Sequence, residues 1–485
     1  MAVYRPSSVD VTVQTNPRII NVGETTRIPA IVGLGPTSRS VVDEAVQRGT
    51  GSTDLLSLYP ITGVSVSQIA NAPGVVAGAL NAISISANGA LYSSASASVG
   101  VAGSIAWPQG TLGVNVPATG SVYYVTYSAN VPSSQYDPGT FSDKQTIRAK
   151  YGAEGISTGL LTVAGSLALE NGAPGVLLVQ ASGSSYSEAN YKLAIDKLQT
   201  KTNIEYVVCV FPSASVTRAQ QETLMLYAYT HVLSMSQNKR ERGLITGSPS
   251  TSFATDGYDS IGDANTTGTY LYRSAQLRNK NATFVVPSRA QRKDDSGNTM
   301  ELDGNFMAAA IAGLHTGQAH LSTPIHGFTV LGFTITDEKW NEFEMNQLGA
   351  GNCLVLESRG GIVTVRDAIT TDPTSADTAE LSVVSQERLV KRTRREGLKN
   401  VYTNKGKVIT ATTVLDVEAT TYSILSSMVK QGDLNAFGVN DNPATGEVQI
   451  SAKQNTSEPR QVDVTCSVKY LYPLKFVSVT VSTYV

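Results

Sequence analysis

The side chains with the widest chemical range in this chain are four histidines and three cysteines, and their spacing suits no common site. The histidines are His231, His315, His320 and His326. His315 and His320 lie five apart, which is wrong for two ligands on one helix face, and no His-Glu-x-x-His occurs. Each is therefore expected to serve the fold. Cys209, Cys353 and Cys466 lie far apart, with neither zinc spacing nor a disulfide framework, and strand-like neighbours predict buried free thiols. There is no Walker A loop and no Gly-x-Ser-x-Gly elbow. Asp294-Asp295 and the pair Glu301 and Asp303 flank Ser-Gly-Asn, which reads as a solvated loop rather than a carboxylate metal site. The loop Ala181-Ser-Gly-Ser-Ser sits between a strand and a helix, where α/β sheets bind ligands, but it lacks the dinucleotide fingerprint. The expectation is a protein with no catalytic residue, no metal and no cofactor.

One charge cluster stands apart. Arg388, Lys391, Arg392, Arg394, Arg395, Lys399, Lys405 and Lys407 meet only Glu396 in their window, about +7 in 20 residues. Arg388, Arg392, Arg395 and Lys399 are spaced four, three and four apart, so they share one helix face. Such charges repel one another unless something acidic opposes them. The face is either solvated or a dock for an acidic protein. A nucleic-acid dock is disfavoured because no aromatic platform interleaves it.

The elements that must carry these residues read as mixed α/β. Thr26 to Gly33 predicts a strand ended by glycine. Gly175-Val-Leu-Leu-Val-Gln, Ile204 to Phe211, Gly243 to Gly247 and Ala282 to Val286 predict buried strands. They alternate with helices at 187–200 (Tyr191, Ala194, Leu198), from Thr217 with its capping-box Gln220 (Leu224, Tyr227, Val232, Met235), and at 306–314. A hairpin is expected around Gly360-Gly361, then helices near 384–399 and 414–431, the latter capped by Gly432. Strands follow at Val448 and Ile450 and at Val462 to Val468. Val9, Val11 and Val13 alternate with polar residues near one terminus, and Val477, Val479 and Val481 near the other. These strands either fold back or pair with neighbouring chains.

At 485 residues the chain is long enough for about three domains. Its 37 Lys and Arg against 39 Asp and Glu argue against a chain-wide nucleic-acid binder. The N-terminus has no apolar core and no run of 18 apolar residues exists, so cytoplasmic synthesis without a membrane span is expected. Between Asp54 and Asp137 there are 82 residues with no Asp, Glu, Lys or Arg, rich in Ser, Gly, Ala and Val. Short alternations there predict a small all-β insertion. The expected organisation is an arm at 1–22, an inner α+β domain from 23–54 with 352–467, the insertion at 55–137, an α/β middle domain at 138–351 and an arm at 468–485.

The order of these features resembles the sheath protein of contractile bacteriophage tails. The resemblance is carried by Val9, Val11 and Val13 followed by Ile28-Pro-Ala-Ile-Val-Gly-Leu-Gly-Pro, and by Tyr151-Gly-Ala. Ala164-Gly-Ser-Leu-Ala-Leu-Glu-Asn-Gly-Ala-Pro-Gly-Val-Leu-Leu-Val continues it, then Asn346-Gln-Leu-Gly-Ala-Gly-Asn-Cys and Gly361-Ile-Val-Thr-Val-Arg-Asp, then the basic helix. The resemblance implies a mechanical subunit of the virion tail rather than an enzyme. It implies helical self-assembly around a tail tube protein in a metastable extended state, with baseplate and terminator proteins as further partners. Contraction then drives the tube through the bacterial envelope. It also implies strand exchange through Val9, Val11, Val13, Val477, Val479 and Val481, and a tube-facing role for Arg388, Lys391, Arg392, Arg395 and Lys399. A phage-derived injection particle is the alternative, and a surface adhesin a weaker one.

Overall fold

Ile-Pro-Ala-Ile-Val-Gly-Leu is apolar at every position, so it can be a strand only where both faces are covered. The computed structural model places it there, as β1 (Ile28–Leu34), buried throughout. It describes residues 27–50, 53–56, 65–70, 98–100, 104–106, 118–131, 133–155, 159–212, 216–248, 261–294, 296–335, 340–374, 379–402, 409–437, 450–457 and 461–472. The terminal segments bearing Val9, Val11, Val13, Val477, Val479 and Val481 lie outside them.

After β1 the chain forms β2 (Ser38–Gln47), β3 (Thr53–Leu55), β4 (Ser65–Ala70), β5 (Ser98–Gly100), β6 (Ser104–Ala106) and β7 (Val122–Asn130). They build two antiparallel three-stranded sheets, β2-β7-β4 and β3-β6-β5. Tyr123, Val125 and Tyr127 alternate inward on β7 and are buried. The charge-free segment's described part is thus strands and turns, with one short 3₁₀ turn at Ser133–Tyr136 and no α-helix. Its sheet begins earlier than 55, however, because β2 pairs with β7 from Ser38↔Asn130 to Gln47↔Val122. Residues 38–47 belong with the insertion rather than with the inner domain.

The α/β layer follows: β8 (Gly139–Phe141), α1 (Lys144–Tyr151), α2 (Leu160–Glu170), β9 (Val176–Ala181), α3 (Glu188–Asp196), β10 (Ile204–Cys209), α4 (Arg218–Gln237), β11 (Gly243–Gly247), α5 (Tyr270–Leu277) and β12 (Ala282–Val286). Then come β13 (Ala290–Lys293), β14 (Thr299–Leu302), α6 (Gly304–Thr316), α7 (Glu342–Ala350), β15 (Leu354–Arg359) and β16 (Ile362–Asp367). The main sheet runs β16-β15-β12-β11-β10-β1-β9-β8. The six strands from β15 to β9 are parallel, and antiparallel β16 and β8 close the edges. Two boundaries therefore move. β1 lies between β9 and β10, and the β15–β16 hairpin extends the same sheet, so 28–34 and 354–367 join the α/β layer instead of an inner domain. The cause is hydrophobic. A strand buried on both faces needs a neighbour on each side and helices above and below.

α2 and α6 pack against each other and against the sheet. Every residue of α6 is buried. Glycine sets how near they come, since a Cβ at Gly313 would lie 2.2 Å from the Ala168 carbonyl oxygen. The start of α6 is seated equally closely, because a Cβ at Gly247 would fall 1.9 Å from the Gly304 backbone. α4 begins at Thr217 with the expected capping box to Gln220. The chain then forms α8 (Leu381–Tyr402), α9 (Ala411–Gln431), β17 (Ala436–Phe437), β18 (Ile450–Gln454), β19 (Val462–Cys466) and β20 (Val468–Lys469). Gly432 caps α9 in the left-handed region. Leu389 and Val390 of α8, Leu425 and Met428 of α9, Leu434 and Ile450 form a second core. The architecture is mixed α/β and multi-domain, as expected.

Candidate functional site

α8 carries the basic cluster, and its cations are opposed from inside the chain. Glu205 is the second residue of β10 and fully buried. Its carboxylate accepts from Arg388 Nε at 3.0 Å and from Arg392 Nη2. Arg388 and Arg392 are 3% and 6% exposed, so neither lies on a solvated or docking face. This corrects the expectation of one outward basic surface. Helical spacing put the cations on one face; the sheet supplied the acid. Arg27, just ahead of β1, brings a third guanidinium to 3.9 Å from the same carboxylate.

The neighbouring groups lock this arrangement. The Tyr206 hydroxyl lies 2.9 Å from His315 Nδ1, 2.9 Å from Ser385 Oγ and 3.2 Å from Arg388 Nη2. The Arg388 guanidinium also lies over the Tyr206 ring, 5.2 Å from its centroid. Burial alone would lower the Arg388 pKa, but the Glu205 carboxylate outweighs it and the net shift is upward. Burial, with Arg388 adding to it, lowers His315 to about 3 and keeps the imidazole neutral. A neutral ring fits a cluster already rich in positive charge.

Farther along α8, Arg395 forks onto Glu241, the residue two before β11. Lys391 is exposed and pairs with Glu387 one turn back. Glu387 also accepts from Lys280 Nζ at 2.7 and 2.8 Å. The Lys399 side chain lies outside the described residues. Gln386 is buried, and its carboxamide donates to the Leu471 carbonyl at 2.9 Å and accepts from the Leu471 amide at 2.7 Å. Sequence reasoning missed Glu205, Glu241 and Gln386. The one available signal was a lone carboxylate, Glu205, inside an otherwise apolar strand.

His231 lies against Arg242, whose guanidinium donates to the Leu198 and Lys201 carbonyls at 3.1 and 2.8 Å. Burial, with Arg242 adding to it, lowers His231 to about 4. His320 Nδ1 lies 3.1 Å from Asp433. His326 is half-buried beside the short segment that pairs with β16. Asp294 caps its own turn through Ser296 and Asn298, and Asp303 caps α6 through Asn305. Cys209 and Cys353 are buried and free, whereas Cys466 is only half-buried on the small β18–β19 ladder.

The six parallel strands follow the order 2-1-3-4-5-6 when counted from β1, so the crevice for a ligand would open between β1 and β10. Aromatic side chains fill that place. Tyr191 is buried, donates to the Val210 carbonyl at 2.8 Å and stacks on Phe211 at 5.4 Å. Tyr186 covers both rings. Gln180 donates to the Pro36 carbonyl at 2.9 Å, closing the space beside Gly35. The loop at 181–185 leads into these rings at Tyr186, and Asn190 pins it through the Ser182 carbonyl at 2.7 Å.

No family model matches the chain. Over 350 residues it is 24% identical to the tail sheath protein of Mycobacterium phage Bxz1, covering 70% of this chain and 55% of that protein. The chain thus spans about half the length of that curated relative. Among solved structures it is similar to the helical sheath of the anti-feeding prophage in the contracted state. There the TM-score is 0.54 at 11% identity, over 73% of this chain and 90% of that one. A chain in the six-fold symmetrised baseplate of the same prophage matches with a TM-score of 0.53 at 11% identity, over 73% and 90%. The resemblance to sheath proteins is found by sequence in the phage relative and by fold in the solved prophage sheath.

Proposed function

We propose that this chain is the structural subunit of a contractile tail sheath. It polymerises helically around an inner tube in an extended, metastable state and contracts to drive the tube through a bacterial envelope. The observation that carries the reading is the joint match: 350 residues aligned with a phage tail sheath protein, and a fold spanning nine-tenths of a contracted sheath subunit. The packed ligand crevice is consistent with it, since a machine that stores energy in its assembly needs no nucleotide at each subunit.

The reading assigns roles to the parts. The terminal segments with Val9, Val11, Val13, Val477, Val479 and Val481 act as arms that pair with neighbouring subunits. The β18–β19 ladder suits an acceptor, because β19 has no further strand on its outer edge among the described residues. Arg388, Arg392 and Arg395 hold α8 within the chain, which leaves Lys391 as the exposed cation among the described side chains of α8 and the one proposed to meet the tube. Tube, baseplate and terminator proteins are the proposed partners, and the virion tail is the proposed location. The prophage structures favour one second reading, the sheath of a phage-derived injection particle, which uses the same subunit mechanics.

The test is electron microscopy of the purified chain, alone and co-expressed with its tube protein. Long striated cylinders are expected, and deletion of 1–15 or of 474–485 should leave a folded subunit that does not polymerise. Polymers from both deletions would refute arm exchange. Absence of cylinders even with the tube protein would refute the sheath reading.

A further inference from the structure

We infer that helix α8 is a yoke that couples the roots of the two terminal arms within one subunit. The observation is a single helical turn whose four consecutive residues bind three separate parts of the chain: β10, the segment at Leu471 and the entry to β12. Ser385 Oγ meets the Tyr206 hydroxyl on β10, and Gln386 holds both backbone groups of Leu471. Glu387 takes the Lys280 ammonium at the entry to β12, and Arg388 takes Glu205.

Two of these contacts are arm roots. Leu471 is the second-last described residue before the C-terminal segment, and Tyr470 beside it packs on the core shared by α8 and α9. Arg27 is the first described residue after the N-terminal segment and reaches the carboxylate that Arg388 and Arg392 hold. The path from one root to the other is therefore short: Leu471 to Gln386 by hydrogen bonds, Gln386 to Arg388 along the helix backbone, then Glu205 and Arg27. Its inner members are buried. Gln386 and Glu205 are 0% exposed and Arg388 3%. A buried carboxamide or charge cannot exchange its partner for water at small cost, so this turn moves as a unit or not at all. Tension on one arm then changes how firmly the other is held, and the effect must be reciprocal.

What the arms do rests on the sheath reading, but the coupling does not, so it is measured on unassembled full-length chain. Hydrogen exchange is followed by mass spectrometry in wild type, Arg27→Ala and Gln386→Leu. Gln386→Leu frees the Leu471 amide directly. The yoke requires that it also speed exchange of the Ile28 amide, which donates to the Asn203 carbonyl at 3.1 Å. Conversely, Arg27→Ala should speed exchange at Leu471. A factor of about five or more is expected in each direction. Changes confined to the root that carries the substitution would overturn the inference. If Gln386→Leu does not fold, exchange at Leu471 in Arg27→Ala decides alone. Reciprocal exchange in a chain that never polymerises would keep the yoke and remove the sheath, whereas polymerising chains with independent roots would do the opposite.

Discussion

Glu205→Gln is the substitution on which the account of the basic helix depends. It keeps the side chain's shape and removes the single negative charge on which Arg388 and Arg392 converge. The carboxylate is fully buried, and the two guanidiniums have side-chain exposures of 3% and 7%. At an effective dielectric of about 20, one unit pair about 4 Å apart attracts by about 4 kcal/mol, much of it offset by the cost of burying both ions. The offset does not return when one partner is removed, because the stranded arginines stay buried. The expected loss is about 3–5 kcal/mol. For a cooperative unit of about 150–250 residues, that lowers the melting temperature by roughly 6–20 °C. The assay is thermal unfolding of the unassembled chain at pH 7, followed by circular dichroism. Lys391→Ala is the control, since its exposed pair with Glu387 should contribute less than about 0.5 kcal/mol. A triple replacement, Glu205→Leu with Arg388→Met and Arg392→Leu, should recover most of the loss. A Glu205→Gln chain within about 1 kcal/mol of wild type would refute the reasoning, since it would mean that water already screens the cluster.

Two further outcomes follow from packing. His231 and His315 are held neutral down to about pH 4 and 3, whereas unfolded histidine titrates near 6.5. Their contribution is therefore complete above pH 6.5 and is lost as pH falls, because only the unfolded chain takes up the protons. The two histidines should lower stability by about 2–2.5 kcal/mol per pH unit between pH 6 and 4.5, and His315→Gln should remove about half of that contribution in denaturant titrations; an unchanged slope sinks the assignment. Gly313→Ala pushes a methyl group against the Ala168 carbonyl and should cost about 1–3 kcal/mol by parting α2 and α6. A neutral effect in equilibrium unfolding would show that these helices are not in close contact.

Much of the α/β layer was legible because burial on both faces writes a continuous apolar run. Val176–Ala181, Ile204–Cys209, Gly243–Gly247 and Ala282–Val286 form where that pattern predicts strands. Local chemistry was equally direct. Thr217 and Gln220 form the capping box, Gly360-Gly361 turns the β15–β16 hairpin and Gly432 ends α9. The domain borders were less legible. Nothing local tells an apolar strand at residue 28 that its neighbours begin at 176 and 204.

The basic helix shows the same division. Sequence determined that α8 would be a helix with cations at three- and four-residue spacing, because helical geometry is local and every side chain obeys it. The apolar run from Ile204 to Phe211 likewise marked a buried strand, although the carboxylate within it, Glu205, was passed over. Only the tertiary structure decided that these meet across 183 positions, turning an apparent docking face into a buried clamp. The reason is physical: a charge carries no label naming its partner, and which charges neutralise each other depends on which elements the hydrophobic core brings together.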